Sequence, residues 1–160
     1  MVETKTLSTA ERVDWLRLIR SENVGPVTFR QLIERFTTPT NALDALPELA
    51  KRGGGKRAIR ICTKSDAVAE MEKLDRAGGQ MIAICEPQYP AALANIPDAP
   101  PVLSVFGQVH LLEQRMIAIV GARNGSANGV RFTETLAREL GQSDLMIASG
   151  LARGIDAAAH

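Results

Sequence analysis

The chain has 160 residues, of which 45% are apolar, and a net charge of +1 from 19 Lys and Arg against 18 Asp and Glu. This composition excludes collagenous, low-complexity and disordered chains, and no apolar run approaches the ~20 residues of a membrane span. The amino end lacks a signal-peptide pattern, and Cys62 and Cys85 form neither a C-x-x-C pair nor a metal-ligand spacing. We therefore expect a reduced, cytoplasmic chain with no metal site and no cofactor.

The first 64 residues predict a small helical domain. Ser8-Thr9-Ala10-Glu11 is a capping box, which predicts a helix from there to about Ser21. Asn23-Val24-Gly25-Pro26 predicts a turn with Pro26 at the first position of the next helix. Helical spacing continues at four apolar residues: Phe29, Leu32, Ile33 and Phe36.

The helical part is expected to close with two short helices, over residues 40–46 and 47–52, and to end at three consecutive glycines from Gly53. A basic stretch covers residues 51–64, with six positive charges and no negative charge: Lys51, Arg52, Lys56, Arg57, Arg60 and Lys64. This stretch is either a solvated linker between two domains or a contact surface for an anionic polymer.

From Ser65 the pattern changes to that of an α/β domain. After a helix over 65–77, four short apolar runs at 81–85, 102–106, 116–120 and 145–148 predict strands buried on both faces of a parallel sheet. A helix over 129–140 separates the last two runs, which makes a βαβ unit. We predict an α/β fold with domains at 1–64 and 65–160. Since doubly wound sheets have five or six strands, we expect the front part of a longer protein.

The strongest functional signal is the Gly-rich turn over residues 121–129, which leaves a predicted strand and opens a helix. Small residues let a ligand approach the backbone, the helix amino terminus favours an anion, and Arg123 can hold two phosphate oxygens. The spacing is neither G-x-G-x-x-G nor that of a Walker A loop. The alternative is a tight structural turn with a solvated arginine.

A second Gly-rich turn, over residues 149–156, follows the next strand at the same carboxyl edge of the sheet, where ligands of open α/β folds bind. Alternatively, Arg153 points away from that edge and Asp156 only caps the last helix. Together the two turns predict a site that binds phosphate groups. Its candidate residues are Gly121, Arg123, Ser126, Gly129, Ser149, Gly150, Arg153 and Gly154.

No catalytic group is predicted. We expect no His near a Ser or Cys in a triad-like arrangement, no paired carboxylates with raised pKa values and no metal cluster. The two cysteines are expected to be small apolar residues instead of nucleophiles. These features favour binding over chemistry.

These segments together resemble the bacterial DNA-processing protein A family (DprA, also called Smf). The resemblance runs through Asn23-Val24-Gly25-Pro26, Glu86-Pro87-Gln88-Tyr89-Pro90-Ala91-Ala92-Leu93 and Pro100-Pro101-Val102-Leu103, followed by Phe106-Gly107. Its most specific parts are Val120-Gly121-Ala122-Arg123, with Ser126 and Gly129, and the segment from Ser149 to His160. It implies a domain of sterile-alpha-motif type followed by an extended Rossmann-like domain that binds single-stranded DNA. It also implies homodimerisation and loading of the recombinase RecA during natural transformation.

Two residues depart from the family pattern. Ala122 stands where the family usually has Ser, and Asn128 stands where it usually has Tyr. In the amino-terminal part, residues 22–28 are similar to a DNA-binding helix-hairpin-helix turn, although Asn23 replaces a usual Gly. The alternative is a turn that serves only the packing of the two helices.

Two other functions are weighed against DNA binding. One is a Rossmann-like nucleotide phosphoribohydrolase, whose Pro-Gly-Gly-x-Gly-Thr-x-x-Glu loop does not occur in residues 1–160. The other is a helical domain that only binds proteins.

Overall fold

A computed structural model describes residues 5–52 and 59–160. The chain packs as two compact units, one before His110 and one over His110–His160. Both units contain helices and strands, so the prediction of an α/β fold is confirmed.

The first unit begins with two helices, α1 (Thr9–Arg20) and α2 (Pro26–Phe36). The predicted capping box is present, since the Ser8 hydroxyl accepts the Glu11 N–H at 3.3 Å and the Glu11 carboxylate accepts the Ser8 N–H at 2.8 Å. Pro26 opens α2 as predicted. In the turn between them, Asn23 has a φ of 62°, a left-handed conformation that Asn adopts more readily than most residues. Trp15 of α1 packs on Phe29 of α2, with ring centroids 5.0 Å apart.

The prediction of two short helices after α2 is wrong, because a single helix, α3, covers Pro39–Arg52 with Pro47 inside it. Proline in a helix interior costs about 3 kcal/mol, since it lacks an N–H and its ring meets the preceding turn. Burial offsets this cost: Ala42, Leu43 and Leu46 are all buried in the core shared with α1 and α2. The expected helix stop at Gly53 lies outside the described residues.

The next elements are α4 (Lys64–Arg76), β1 (Gly79–Ala83), the short α5 (Ala91–Ala94) and β2 (Val102–Phe106). The Thr63 hydroxyl caps α4 by accepting the Asp66 N–H at 3.0 Å. β1 and β2 coincide with predicted strands, but they pair antiparallel, with Ala83 opposite Val102 and Gly79 opposite Phe106. The segment between the two strands accounts for the antiparallel pairing. The Ile84 N–H donates to the Pro101 carbonyl at 2.9 Å, so β2 begins beside the end of β1 and runs back along it.

A buried carboxylate joins the helices of the first unit to β1. The Glu86 side chain is 1% exposed and forms an ion pair with Arg12 of α1. It also accepts the Leu7 N–H at 3.1 Å and the Ala83 N–H at 2.9 Å. Arg12 in turn donates to the Leu7 and Met81 carbonyls. Each polar group of this cluster therefore has a partner, and α1 is fixed to the end of β1.

The second unit contains β3 (Met116–Ala118), α6 (Ala127–Gln142), β4 (Met146–Ala148) and the short α7 (Ile155–Ala158), preceded by a 3-10 turn at Val109–Glu113. β3 and β4 are parallel and in register, Met116 with Met146 and Ala118 with Ala148, so the predicted βαβ unit is present.

Burial in this unit differs from the expectation. The three residues of β3 are exposed, whereas strands buried on both faces were predicted. α6 buries Thr133 and Ala137, whereas Phe132 is 68% exposed. Neighbouring helix positions are about 100° apart, so Phe132 lies on a different face from the buried pair. Within the described segments the sheet is two separate pairs of strands, not one mostly parallel sheet.

The Arg12–Glu86 pair gives the first prediction. Arg12→Met keeps the apolar stem and removes the charge, which leaves Glu86 buried without its cation, so the free energy of unfolding should fall by about 3 kcal/mol. The control is Arg20→Met on the same helix, since Arg20 pairs with Glu70 at the surface and such pairs contribute at most about 1 kcal/mol. Urea titrations of both variants measure the difference. Equal losses would contradict the special role of Glu86.

Candidate functional site

The two Gly-rich turns lie where the sequence places them, directly after adjacent parallel strands. Because β3 and β4 pair in parallel, the chain leaves both strands at one edge of the sheet. The first turn leads into α6 and the second into α7. The structure therefore brings the predicted residues of both turns into one region of the second unit.

A buried side chain that was not among the candidates connects the two turns. Asp156 of α7 is 5% exposed. One carboxylate oxygen accepts the Gly121 N–H at 3.0 Å, and the other accepts the Gly150 N–H at 3.0 Å. In the sequence, Asp156 stands out only as the one acidic residue of the turn over 149–156. Its bond to Gly121 could not be predicted from there, because the two residues are 35 positions apart.

The glycines of the first turn face the protein. A Cβ on Gly121 would lie 2.6 Å from the Ile155 side chain, and one on Gly125 would lie 3.0 Å from it. Gly129 is also near Ile155, at 3.5 Å from the corresponding position. The absence of side chains thus makes room for Ile155. Contact of these glycines with a ligand remains a prediction.

Gly154 brings the second turn against the first. Its φ is +85°, and a Cβ there would lie 2.3 Å from the Ala122 carbonyl oxygen and 2.5 Å from that of Arg123. Beside it, the Ile155 N–H donates to the Ala122 carbonyl at 3.2 Å. The backbone that carries Arg153 is therefore adjacent to the backbone that carries Arg123.

Arg123 and Arg153 are exposed, and neither side chain has a hydrogen bond or an ion pair with the part of the chain that the structure describes. A third arginine near this edge, Arg131, is early in α6 and donates to Asn128 at 2.7 Å. The acidic residues Glu139 and Asp144 lie at the other end of the unit, where α6 ends and β4 begins. The two turns thus carry two exposed arginines, and the carboxylate in them, that of Asp156, is buried. In α6, Glu134 follows Arg131 by about one helical turn.

Two predicted serines have partners within the protein. Ser126 caps α6, and its hydroxyl accepts the Gly129 N–H at 3.1 Å. The hydroxyl of Ser149 accepts the Leu151 N–H at 3.1 Å and lies 2.7 Å from Nε2 of His160.

A His and a Ser do lie close together in the second unit. The turn after β4 and the short α7 bring His160 back toward Ser149, eleven residues earlier. A catalytic triad also needs a group that orients the imidazole. Among the described residues no carboxylate bonds to the other ring nitrogen of His160, so the contact is a hydrogen-bonded pair.

The cysteines have the character of structural residues. Cys85 is buried. Burial is the main cause that raises the pKa of its thiol to about 11, and the nearby charge of Glu86 adds to it. Desolvation also raises the pKa of Cys62. Both thiols stay protonated near neutral pH and are poor nucleophiles.

The described ranges, 5–52 and 59–160, contain neither a cluster of metal ligands nor a membrane-spanning helix. Those residues contain no cluster of three or more His, Cys, Asp or Glu side chains arranged to hold a metal. None of their helices is long and apolar enough to cross a membrane.

The amino-terminal hairpin holds the end of the basic stretch. The Glu22 N–H donates to the Arg60 carbonyl at 3.0 Å, and the Cys62 N–H donates to the Ser21 hydroxyl at 3.1 Å. Lys56 and Arg57 lie outside the described residues. For this hairpin, DNA contact stays the alternative to simple helix packing. For the basic stretch, contact with an anionic polymer stays the alternative to a solvated linker.

Two family models match the chain. The first is described as the DprA-like N-terminal HHH domain and covers residues 9–72, and the second is described as DNA recombination-mediator protein A and covers residues 80–160. The chain belongs to the DNA recombination-mediator protein A family. The resemblance to the DprA and Smf proteins is thereby confirmed.

Individual DprA and Smf proteins agree with this assignment. Protein Smf of Synechocystis is 30% identical over 96% of this chain and 41% of its own length. DNA processing protein DprA of Bacillus subtilis is 42% identical over 52% of this chain and 28% of its own length. The chain thus spans less than half the length of these relatives.

The fold is also that of a solved DprA structure. The X-ray structure of DprA from Streptococcus pneumoniae has a TM-score of 0.61 and 24% identity, covering 98% of this chain and 53% of that chain.

The packing at Gly154 gives the second prediction. Gly154→Ala combines a positive φ with a Cβ that overlaps backbone oxygens, so it should lower the free energy of unfolding by at least about 2 kcal/mol. Gly141→Ala is the control, because Gly141 lies in α6 with open space around it. That change should stabilise the protein by up to about 1 kcal/mol. Denaturant titrations of both variants test this, and a neutral Gly154→Ala would refute the close approach of the two turns.

Proposed function

We propose that this chain binds single-stranded DNA at the edge formed by the two Gly-rich turns. The observation that carries the proposal is the pair of exposed arginines, Arg123 and Arg153, on adjacent backbone segments and without protein partners among the described residues. In the whole protein this binding serves DNA processing in natural transformation, by delivering the strand to RecA.

Charge supports phosphate as the group that is bound. A guanidinium offers a planar fork of donors that fits two phosphate oxygens, and hydrogen bonds to charged groups contribute about 1.5–3 kcal/mol each. The amino terminus of α6, a helix of 16 residues, opens at the same edge and adds the positive end of its dipole. The sugar-phosphate backbone of a nucleic acid is therefore attracted both by the two arginines and by the amino terminus of α6.

The shape of this edge favours a single strand over a duplex. The turns end in α7, which has only four residues, and α6 packs along β4. Neither helix is a separate recognition helix of the kind that enters a major groove. Contacts of this type bind the sugar-phosphate backbone without reading base sequence.

The proposed RecA loading is supported by the family description as a recombination mediator. The proposed homodimerisation rests on the resemblance to the DprA and Smf proteins alone. A mediator must bind the strand that its recombinase later occupies, so a DNA site on this chain fits that role. The enzyme alternative has less support, because the Pro-Gly-Gly-x-Gly-Thr-x-x-Glu loop that supplies the catalytic Glu of that class does not occur in residues 1–160.

The third prediction concerns the type of nucleic acid. The full-length protein should bind labelled oligo-dT more tightly than a duplex of equal length. Its affinity should fall with salt, with a log–log slope of about −0.7 for each phosphate neutralised. Fluorescence anisotropy at two or more salt concentrations measures both quantities. Equal affinity for the duplex, or no salt dependence, would contradict the proposal.

The fourth prediction concerns Arg123. Arg123→Ala should weaken binding of oligo-dT by about ten- to a hundredfold, because a charge-assisted bond of 1.5–3 kcal/mol is lost. Arg123→Lys should recover only part of the affinity, since Lys keeps the charge and lacks the fork. Both variants should keep the wild-type melting temperature, because the side chain is exposed.

The matched control for Arg123→Ala is Arg115→Ala. Arg115 is also exposed, but it precedes β3 and so lies at the other end of that strand. Its removal should change the affinity less than threefold. If both alanine variants lose affinity equally, general charge explains the binding, and the site at the two turns is wrong.

A further inference from the structure

We infer that Asp156 is a positioning residue for the proposed DNA site: it fixes the two turns relative to each other, so that Arg123 and Arg153 act on the same strand. This inference rests on the proposed function.

The connections of Asp156 lie close to both arginines along the chain. Gly121 is two residues before Arg123, and Gly150 is three residues before Arg153. Asp156 accepts one N–H from each glycine at 3.0 Å. A single side chain thus binds the start of both arginine-bearing segments.

The residue type fits this task. Two N–H donors that meet at one side chain need two acceptor atoms. A carboxylate provides two, whereas an amide of the same size provides only one. An amide would place its own NH₂ group against one of the two donors. The two bonds also offset the burial of the charge, which is 5% exposed.

Neighbouring contacts act in the same direction. The Ile155 N–H donates to the Ala122 carbonyl, and Gly154 lies against the Ala122 and Arg123 carbonyls. Gly154, Ile155 and Asp156 therefore hold the first turn through consecutive residues, and only Asp156 also holds the start of the second turn at Gly150.

Asp156 carries a negative charge at a site proposed for a polyanion, so the direction in which its removal changes DNA affinity is informative. If Asp156 acted only through its charge, Asp156→Asn would remove a repulsion and tighten DNA binding. If Asp156 positions the turns, the same variant weakens binding, although the protein becomes more positive. Charge and positioning thus predict opposite changes.

The experiment measures oligo-dT affinity by anisotropy for the full-length wild type, Asp156→Asn and Arg123→Ala, well below their melting temperatures. We expect Asp156→Asn to weaken binding at least tenfold and to make the salt slope shallower by about 0.7, the value for one lost phosphate contact. The control is Glu86→Gln, which makes the same chemical change at a buried carboxylate that also accepts two backbone N–H groups. It should lower the melting temperature and leave the affinity unchanged.

A double-mutant cycle tests the same idea without changing Asp156. If the turns are held in fixed register on one strand, the affinity loss of the Arg123→Ala, Arg153→Ala double variant differs by at least threefold from the product of the two single losses. A double loss equal to that product would overturn the inference, and so would an Asp156→Asn variant that is folded and binds as tightly as the wild type or more tightly.

The outcomes separate the inference from the proposed function. If Arg123→Ala binds like the wild type, the proposed site is wrong and the inference falls with it. If Arg123→Ala loses affinity while folded Asp156→Asn retains it, the site stands and the positioning role of Asp156 is wrong.

Discussion

The organisation of the proposed site depends on two backbone N–H groups at the ends of adjacent strands. Gly121 and Gly150 each donate to an acceptor within the protein, and a hydrogen bond to a charged group contributes about 1.5–3 kcal/mol. Asp156 satisfies both at once. Because both turns bond to Asp156, α7 lies against them, and Ile155 contacts Gly121 and Gly125. The Arg123 and Arg153 side chains are exposed on the adjacent segments.

The first unit uses the same arrangement for a different purpose. Glu86 also accepts two backbone N–H groups, from Leu7 and Ala83, and its charge is further balanced by Arg12. There the carboxylate fixes α1 to the end of β1. In both units a buried acid joins segments that are distant in sequence, and in both cases the acid is fully hydrogen-bonded. Such acids are costly to remove and cannot be replaced by their amides without losing an acceptor.

Local rules predicted much of this structure from the sequence. The capping box at Ser8, Pro26 at the start of α2 and the βαβ unit with its Gly-rich turns depend on residues a few positions apart, or on strongly apolar runs. What failed depends on distant contacts. Burial against α1 and α2 keeps α3 continuous through Pro47, and a folded-back connection makes β1 and β2 antiparallel. The bonds of Asp156 to both turns were not predicted, because its partner at Gly121 is 35 residues away.

The central claim is that both arginine-bearing turns meet the same DNA strand. The most direct test is an NMR titration of the ¹⁵N-labelled full-length protein with oligo-dT, following the side-chain Nε–Hε signals of Arg123, Arg153 and Arg115. We expect the Arg123 and Arg153 signals to shift along one common binding curve while the Arg115 signal does not move. Shifts of other residues with both signals unchanged, or two separate curves for Arg123 and Arg153, would contradict it.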